Sequence, residues 1–260
     1  MTQAHLTLFS WNVNGIRACT KKGFLSWLAT SGADIVMLQE TKASRDQLPD
    51  TLCNPEGFVS EWCAADKKGY SGVATYSRIP ALSTRGLGDA RFDTEGRVLI
   101  SALPQFTLFN IYFPSGSSGA TRIAYKLDFY NHCLNVLRPR LDAGERIIVA
   151  GDVNTAYAEI DLARPRENRQ TSGFLPEERT TLGKFFAAGL VDTFRHVRPD
   201  EAKYSWWSQA TNARERNIGW RLDYILVSRN LLPYVVDADI HNNVHGSDHC
   251  PISLILALPL

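Results

Sequence analysis

Several things are missing from this 260-residue chain, and each absence narrows its reading. It has five cysteines, Cys19, Cys53, Cys63, Cys133 and Cys250, an odd number with no C-x-x-C pair. That argues against a disulfide framework and against a cysteine zinc site, and it fits a reducing, cytoplasmic setting. The opening "MTQAHLTLFSWNVNG" has no basic stretch followed by an apolar one, so no secretory leader is expected. No apolar run approaches the length of a membrane span, so no membrane partner is expected. Excess charge is missing too. The net charge is +1, so any nucleic-acid partner needs a local basic face. No Pro- or Ser-rich linker divides the chain and no strict repeat recurs, which suggests one domain over residues 1–260.

What is present is an ordinary globular composition, 44% hydrophobic and 21% charged, enough for a core without staples. Apolar strand-like runs recur at 5–11, 34–39, 72–77, 97–103, 106–112, 146–151, 224–228 and 252–258. Ile123, Leu127, Tyr130, Leu134 and Leu137 step by four and three, one face of a helix over 121–138, with Pro139 following. "GFLSWLAT" and "LGKFFAAGL" read as shorter helices, the second closing near Gly189. Residues 97–103 and 106–112 read as a hairpin. The mixture predicts an α/β fold: two mostly antiparallel sheets packed together, with helices outside. "PSGSSGAT" reads as a surface loop.

The polar residues collect at the ends of these strands. Asn12 and Asn14 follow the first, Glu40 the second, Tyr112 and Ser115 a third, and Asp152 and Asn154 the strand over 146–151. Asp223, Asp248 and His249 precede theirs. In antiparallel sheets the exit of one strand lies beside the entrance of its neighbour, so these residues are expected on one rim. Asp and Asn after a strand are ordinary turn residues, and singly each reads as structural. Their number changes the balance. Crowded carboxylates repel unless a cation compensates, and a hard ion such as Mg²⁺ takes one or two carboxylates plus water and phosphate. Cys250, before Pro251, reads as a packing residue rather than a nucleophile. His249 needs a partner to hold its proton, and Asp223 is the candidate. Arg164, Arg166, Arg169, Arg214, Arg216 and Arg221, with Lys21, Lys22, Lys67 and Lys68, form a candidate phosphate-binding footprint, although charged loops are usually just solvated.

The segments "SWNVNGIRA", "LQETK", "GYSGVATYS", "ARFDTEGR", "NIYFPSG", "GDVNTAYAEIDLARP", "GFLPEER", "GLVDTF", "WRLDYILVS" and "GSDHCP" run in order from residue 9 to 251. Together they resemble the exonuclease III / abasic-site (AP) endonuclease family of the endonuclease–exonuclease–phosphatase superfamily, especially its archaeal and bacterial members. The resemblance implies a four-layer α-β-β-α sandwich. It implies a Mg²⁺-dependent DNA repair phosphodiesterase, with Mn²⁺ as a substitute. Such an enzyme incises double-stranded DNA 5′ to abasic sites, trims 3′ ends as a 3′→5′ exonuclease, and in some members incises at damaged or uracil-bearing nucleotides. It also implies a cytoplasmic, nucleoid-associated monomer.

Residue by residue, the resemblance makes Glu40, Asn14 and Asp248 the metal set. Asp152 positions and activates water, Asn12 and Asn154 support it, Tyr112 binds phosphate, and His249 paired with Asp223 meets the scissile phosphate. Trp206, Trp220 and Leu222 wall the pocket for a base-less sugar. Arg17, Tyr70, Ser115, Arg122, Lys126 and Thr171 complete the DNA-facing set. Ser115 stands where the family usually has Asn, and the loop 115–121 carries Ser and Gly where some relatives place an inserting Arg. Two other readings compete. One is a phosphoesterase of the same fold acting on inositol phosphates, sphingolipid or RNA tails. The other is a DNA-binding module without catalysis.

Overall fold

The computed structural model describes residues 3–259. The strands are β1 (Gln3–Asn12), β2 (Ile35–Gln39), β3 (Val59–Cys63), β4 (Val73–Ser77), β5 (Leu82–Arg85), β6 (Val98–Ala102), β7 (Thr107–Ile111), β8 (Ile147–Asp152), β9 (Leu190–Asp192), β10 (Asp223–Ser228), β11 (Val235–Ile240) and β12 (Ile252–Pro259). They form two six-stranded open sheets, ordered β11-β12-β1-β2-β4-β3 and β5-β6-β7-β8-β10-β9. Each sheet is mixed. β1 and β2 are parallel in the first, β7 and β8 in the second, and the remaining neighbours are antiparallel. The expected hairpin is β6–β7.

Period-two alternation assigns the layers. Leu6 and Leu8 of β1, Ile35 and Met37 of β2, Leu108 of β7, Ile148 and Ala150 of β8, and Ile225 and Val227 of β10 meet in the core between the sheets. The intervening residues face outward. Phe9, Trp11, Val36 and Leu38 pack under helices α1 (Ile16–Lys21) and α2 (Phe24–Thr30). Phe109, Ile111, Val149 and Leu226 pack under α5 (Ala120–Asp142) and α6 (Pro176–Ala187). The short helices α3 (Asp50–Cys53), α4 (Ala90–Asp93) and α7 (Thr193–Val197) complete the set. The result is the expected four-layer sandwich. Among the described residues no helix is long and apolar enough to cross a membrane.

Two local features depart from expectation. Helix α5 continues through Pro139 to Asp142 rather than ending before it. The proline leaves the Asn135 carbonyl without its usual donor, but Asn135 is exposed, so water can satisfy it. Helix α6 begins at Pro176, ahead of the expected stretch from Leu182, where a missing N–H costs nothing; its close at Gly189, with φ 104°, is as expected.

Inner-face parity also places the functional end. Asn12 follows Leu8 and Ser10 on the inner face of β1. Asp152 follows Ile148 and Ala150, Tyr112 follows Leu108 and Asn110, and Asp223 precedes Ile225. At this end the apolar filling gives way to a buried amide layer. Gln39 donates to Asn110 Oδ1 at 2.8 Å, and Asn110 donates to the Ala74 carbonyl at 2.8 Å. Above that layer the two sheets open into a cleft.

Candidate active site

The cleft has a volume of about 460 Å³. Asn12, Asn14, Glu40, Tyr112, Asp152, Asn154, Asp248 and His249 line its floor, and Trp206, Trp220 and Leu222 stand in its wall with Ser115 and Thr171. Residues from six separate strand ends therefore share one space. Asp223 lies behind them, buried beneath His249.

The strand ends are bent to achieve this. Asn14, Glu40 and Asn154 hold left-handed backbone, at φ 44°, 52° and 55°. Such values are uncommon for any residue but glycine, and more so for glutamate than for asparagine. Backbone hydrogen bonds hold the first two turns together. Gly15 N–H donates to the Glu40 carbonyl at 2.7 Å and Thr41 N–H to the Gly72 carbonyl at 3.1 Å. Gly151 is needed for a different reason. With φ 145°, a Cβ there would lie 1.9 Å from the Ile111 carbonyl oxygen, so only glycine lets β8 run this close to the residue before Tyr112.

Asp152 and Asp223 are register partners across the antiparallel pair β8–β10. Asp152 receives three donors: Asn12 Nδ2 at 2.8 Å, the Asn154 backbone N–H at 2.8 Å and Asn154 Nδ2 at 3.1 Å. Burial pushes its carboxyl up, the neighbouring Asp223 adds to this, and His249 opposes both, leaving it at about 7. His249 holds Nδ1 2.8 Å from Asp223 Oδ2 and presents Nε2 3.8 Å from Asp152 Oδ2. Burial alone favours a neutral ring, but Asp223 first and Asp152 second overcome it, raising His249 to about 10. The two neighbouring carboxylates thus favour the protonated ring, with Nδ1 on Asp223 and Nε2 facing Asp152.

Ser205 was not foreseen from the sequence. It is fully buried, its Oγ accepts from the backbone N–H groups of Leu222 and Asp223 at 3.1 and 3.2 Å, and it donates to Asp223 Oδ2 at 2.6 Å. A hydroxyl has two lone pairs and one proton, so all three are committed and the carboxylate is fixed toward His249. No local motif marks Ser205. Only the pairing of its segment with Trp220 and of Trp206 with His249 brings it there.

A second group lies beside the first. Tyr112 donates its hydroxyl to Glu40 Oε1. Glu40 Oε2 accepts from Lys42 Nζ at 2.9 Å, and Lys42 also donates to Asn14 Oδ1. Asn14 Nδ2 donates to Asp248 Oδ1 at 2.9 Å, and Trp206 Nε1 donates to Asp248 Oδ2 at 3.1 Å. Burial pushes Asp248 up, but His249 and these donors bring its carboxyl below the usual range. Tyr112 is moved well above its usual value, first by burial and then by Glu40 and Asp152, so it is a neutral donor.

Two sets of side chains are thus candidates for a divalent cation. The donor atoms of Asp152, Asp223 and His249 lie within 4.8 Å of one another. In that set His249 Nδ1 is already engaged by Asp223, and Asp152 already accepts from three donors. Glu40, Asn14 and Asp248 offer hard oxygens, and an ammonium already bridges two of the three. The second set fits a Mg²⁺-like ion better.

The remaining sequence candidates divide. Trp206 and Trp220 meet edge to face with centroids 6.4 Å apart in the cleft wall, whereas Trp207 belongs to the core. Arg17 is exposed on α1, with its guanidinium 3.5 Å from the Lys42 carbonyl. Tyr70 and Arg122 do not line the cleft; they join Arg97, whose guanidinium stands over the Tyr112 ring. The Tyr70 hydroxyl accepts from Arg97 at 3.0 Å and Arg122 at 2.8 Å, and Arg122 pairs with Glu95 at 2.7 Å.

Lys126 corrects the expectation of a DNA-facing residue. It is fully buried, 2.7 Å from Glu178 Oε1 and 2.7 Å from the Asn154 carbonyl, so it cannot reach a phosphate outside. Arg221 is likewise buried, paired with Asp161 and Asp192 at 2.8 Å each. Arg214 turns its two terminal nitrogens to the carbonyls of Asn242, Val244 and Ser247. Arg164, Arg166, Arg169, Arg216, Lys21, Lys22, Lys67 and Lys68 are exposed. Cys250 is buried with its thiol pushed up by burial, as packing requires.

Known proteins resemble this chain along almost its whole length. The model of the Endonuclease/Exonuclease/phosphatase family matches residues 9–249. An exodeoxyribonuclease of Bacillus subtilis (strain 168) is 43% identical over 254 residues, covering 96% of this chain and 99% of the relative. The DNA repair nuclease APEX1 of Danio rerio is 42% identical, covering 98% of this chain and 83% of the relative. Among solved structures, the AP endonuclease LMAP from Leishmania major superposes with a TM-score of 0.89 at 33% identity, covering 98% of this chain and 88% of that one.

Proposed function

This chain belongs to the endonuclease/exonuclease/phosphatase family, and on that premise we propose that it is a DNA repair phosphodiesterase. It incises duplex DNA 5′ to abasic sites, leaving a 3′-hydroxyl, and trims 3′ ends. The observation that carries this reading is the 3.8 Å gap between His249 Nε2 and Asp152 Oδ2, inside a cleft walled by two tryptophans. The carboxyl and the ring both open onto the cleft, where a phosphodiester oxygen would lie beside the pair rather than between its two atoms.

The chemistry follows from these groups. Asp152, once ionised, takes a proton from a water aligned by Asn12 and Asn154. His249, held by Asp223 and Ser205, donates Nε2–H to a non-bridging phosphate oxygen, and the neutral Tyr112 hydroxyl offers a second donor once it turns from Glu40 to the phosphate. A Mg²⁺ ion, or Mn²⁺ in its place, held by Glu40, Asn14 and Asp248, would stabilise negative charge on the leaving oxygen. Trp206, Trp220 and Leu222 give an apolar wall suited to a sugar extruded without its base. The exposed arginines and lysines contribute phosphate contacts, so binding weakens with salt. Ser115 keeps a hydroxyl at the cleft margin but lacks an amide. The same reading makes the protein a monomer that works on DNA in the cytoplasm.

The test is a duplex carrying one abasic analogue, incubated with Mg²⁺ or with chelator. Cleavage 5′ to the lesion only with the ion supports the proposal. Intact lesion DNA alongside rapid phosphate release from inositol phosphates would replace it with a different phosphoesterase. Tight DNA binding without turnover under any divalent ion would leave only a binding module.

A further inference from the structure

Lys42 has no part in the chemistry described above, yet it occupies the centre of the cation set. Its ammonium bridges Glu40 Oε2, at 2.9 Å, and Asn14 Oδ1. Asn14 turns its other amide atom to Asp248, and Tyr112 takes the remaining Glu40 oxygen. Lys42 therefore holds two of the three hard oxygens that a divalent ion would need. Its backbone is left-handed, at φ 52°, as are those of Glu40 and Asn14, so all three partners leave their turns from conformations rare outside glycine. Lys42 N–H is anchored to the Ser71 carbonyl at 2.8 Å. Its side chain is about a third exposed, so the four-carbon stem has open space beside it.

We propose that Lys42 is a tethered cation that occupies the divalent-ion site of the empty enzyme and must leave when the ion binds. The inference rests on the proposed metal role of Glu40, Asn14 and Asp248. An ammonium and a divalent ion on the same oxygens would place like charges within a few ångströms, which favours one occupant at a time. Before ion binding, the lysine neutralises Glu40 beside Asp152 and Asp248. On binding, it swings outward through the exposed side and is released toward substrate phosphate. Lys42 therefore sets metal affinity by competition. If the docked lysine fills the site roughly nine-tenths of the time, the apparent Kd for the ion is about tenfold weaker than the intrinsic one.

Mn²⁺ titration of the metal-free full-length protein, followed by the spectroscopic signal of free Mn²⁺, tests this without turnover. The variants are Lys42→Met, Lys42→Arg and Glu40→Gln, each checked for native folding by circular dichroism. Lys42→Met should bind Mn²⁺ about tenfold more tightly, and Lys42→Arg, which keeps a tethered cation, should stay near wild type. In wild type the protected Lys42 ammonium should give a nuclear magnetic resonance signal that Mg²⁺ abolishes. Wild-type or weaker affinity in Lys42→Met, with Glu40→Gln losing Mn²⁺, overturns the tethered-cation role alone. Undiminished Mn²⁺ binding in Glu40→Gln overturns the metal set itself, and with it the premise of this inference.

Discussion

Asp152 and Asp223 face each other as register partners across β8 and β10, and His249 bridges them, 2.8 Å from Asp223 Oδ2 and 3.8 Å from Asp152 Oδ2. One carboxylate is tied to the ring and to Ser205. The other is held by amides and faces the cleft. The two acids are the same residue type, and their partners separate their tasks.

Removing the tied carboxylate should expose that division. In Asp223→Ala, His249 loses its strongest stabilising charge, so its proton leaves at lower pH. The alkaline limb of the pH–rate profile should move down from the region of pH 10, and the rate at neutral pH should fall by about 10²- to 10⁴-fold. A profile of kcat/KM against pH, for variant and wild type, checks this.

The amides around Asp152 act in the opposite sense. They donate to its charged form, so Asn12→Ala should raise its pKa further and shift the acid limb, near pH 7 in wild type, to higher pH. Because Asp152 and His249 interact, the two limbs belong to the pair. The same kcat/KM profile, extended to lower pH, reads the shift.

Stability should also respond to His249. Its folded pKa, about 10, lies above the unfolded value of about 6.5. Below pH ~6.5 the ring is protonated in both states and the contribution is complete, and it is lost as pH rises through the folded value. Urea denaturation from pH 6 to 10 should show wild type losing stability along this range, with a shallower loss in His249→Gln.

The buried pair Lys126–Glu178 makes a structural prediction. Glu178 accepts from Lys126, from Ser172 Oγ at 2.8 Å and from the Gly173 and Leu175 N–H groups, fixing the cleft wall over 171–173. Lys126→Met leaves a buried carboxylate unpaired and should cost about 3–5 kcal/mol. Denaturant titration measures it, and a loss below ~1 kcal/mol would contradict the role assigned to the pair.

The legible and illegible parts of the sequence separate on physical grounds. The strand-like runs recognised from composition became β1, β2, β4, β6, β7, β8, β10 and β12, the interior strands of the two sheets. β3, β11, β5 and β9 escaped notice, and they are the four edges. An edge strand is paired on one side only and keeps polar residues, as in "LSTR" of β5 and "VVDADI" of β11, so its apolar pattern is weak. Site residues were legible because they stand where apolar runs end or begin, as Asp152 does just past Ile148 and Ala150. Ser205 was not, because its role comes from a contact 18 residues away in sequence. Lys126 and Arg221 read as exposed cations, because charge alone does not reveal the buried carboxylates that receive them.

Incision depends above all on Asp152 generating the nucleophile in a site completed by Glu40. Single-turnover incision of a duplex with one abasic analogue, with DNA binding measured separately, is the most direct test of this. Asp152→Asn and Glu40→Ala should each still bind the duplex while incising it about 10³-fold or more slowly in Mg²⁺. Incision by Asp152→Asn within a few-fold of wild type would contradict the account.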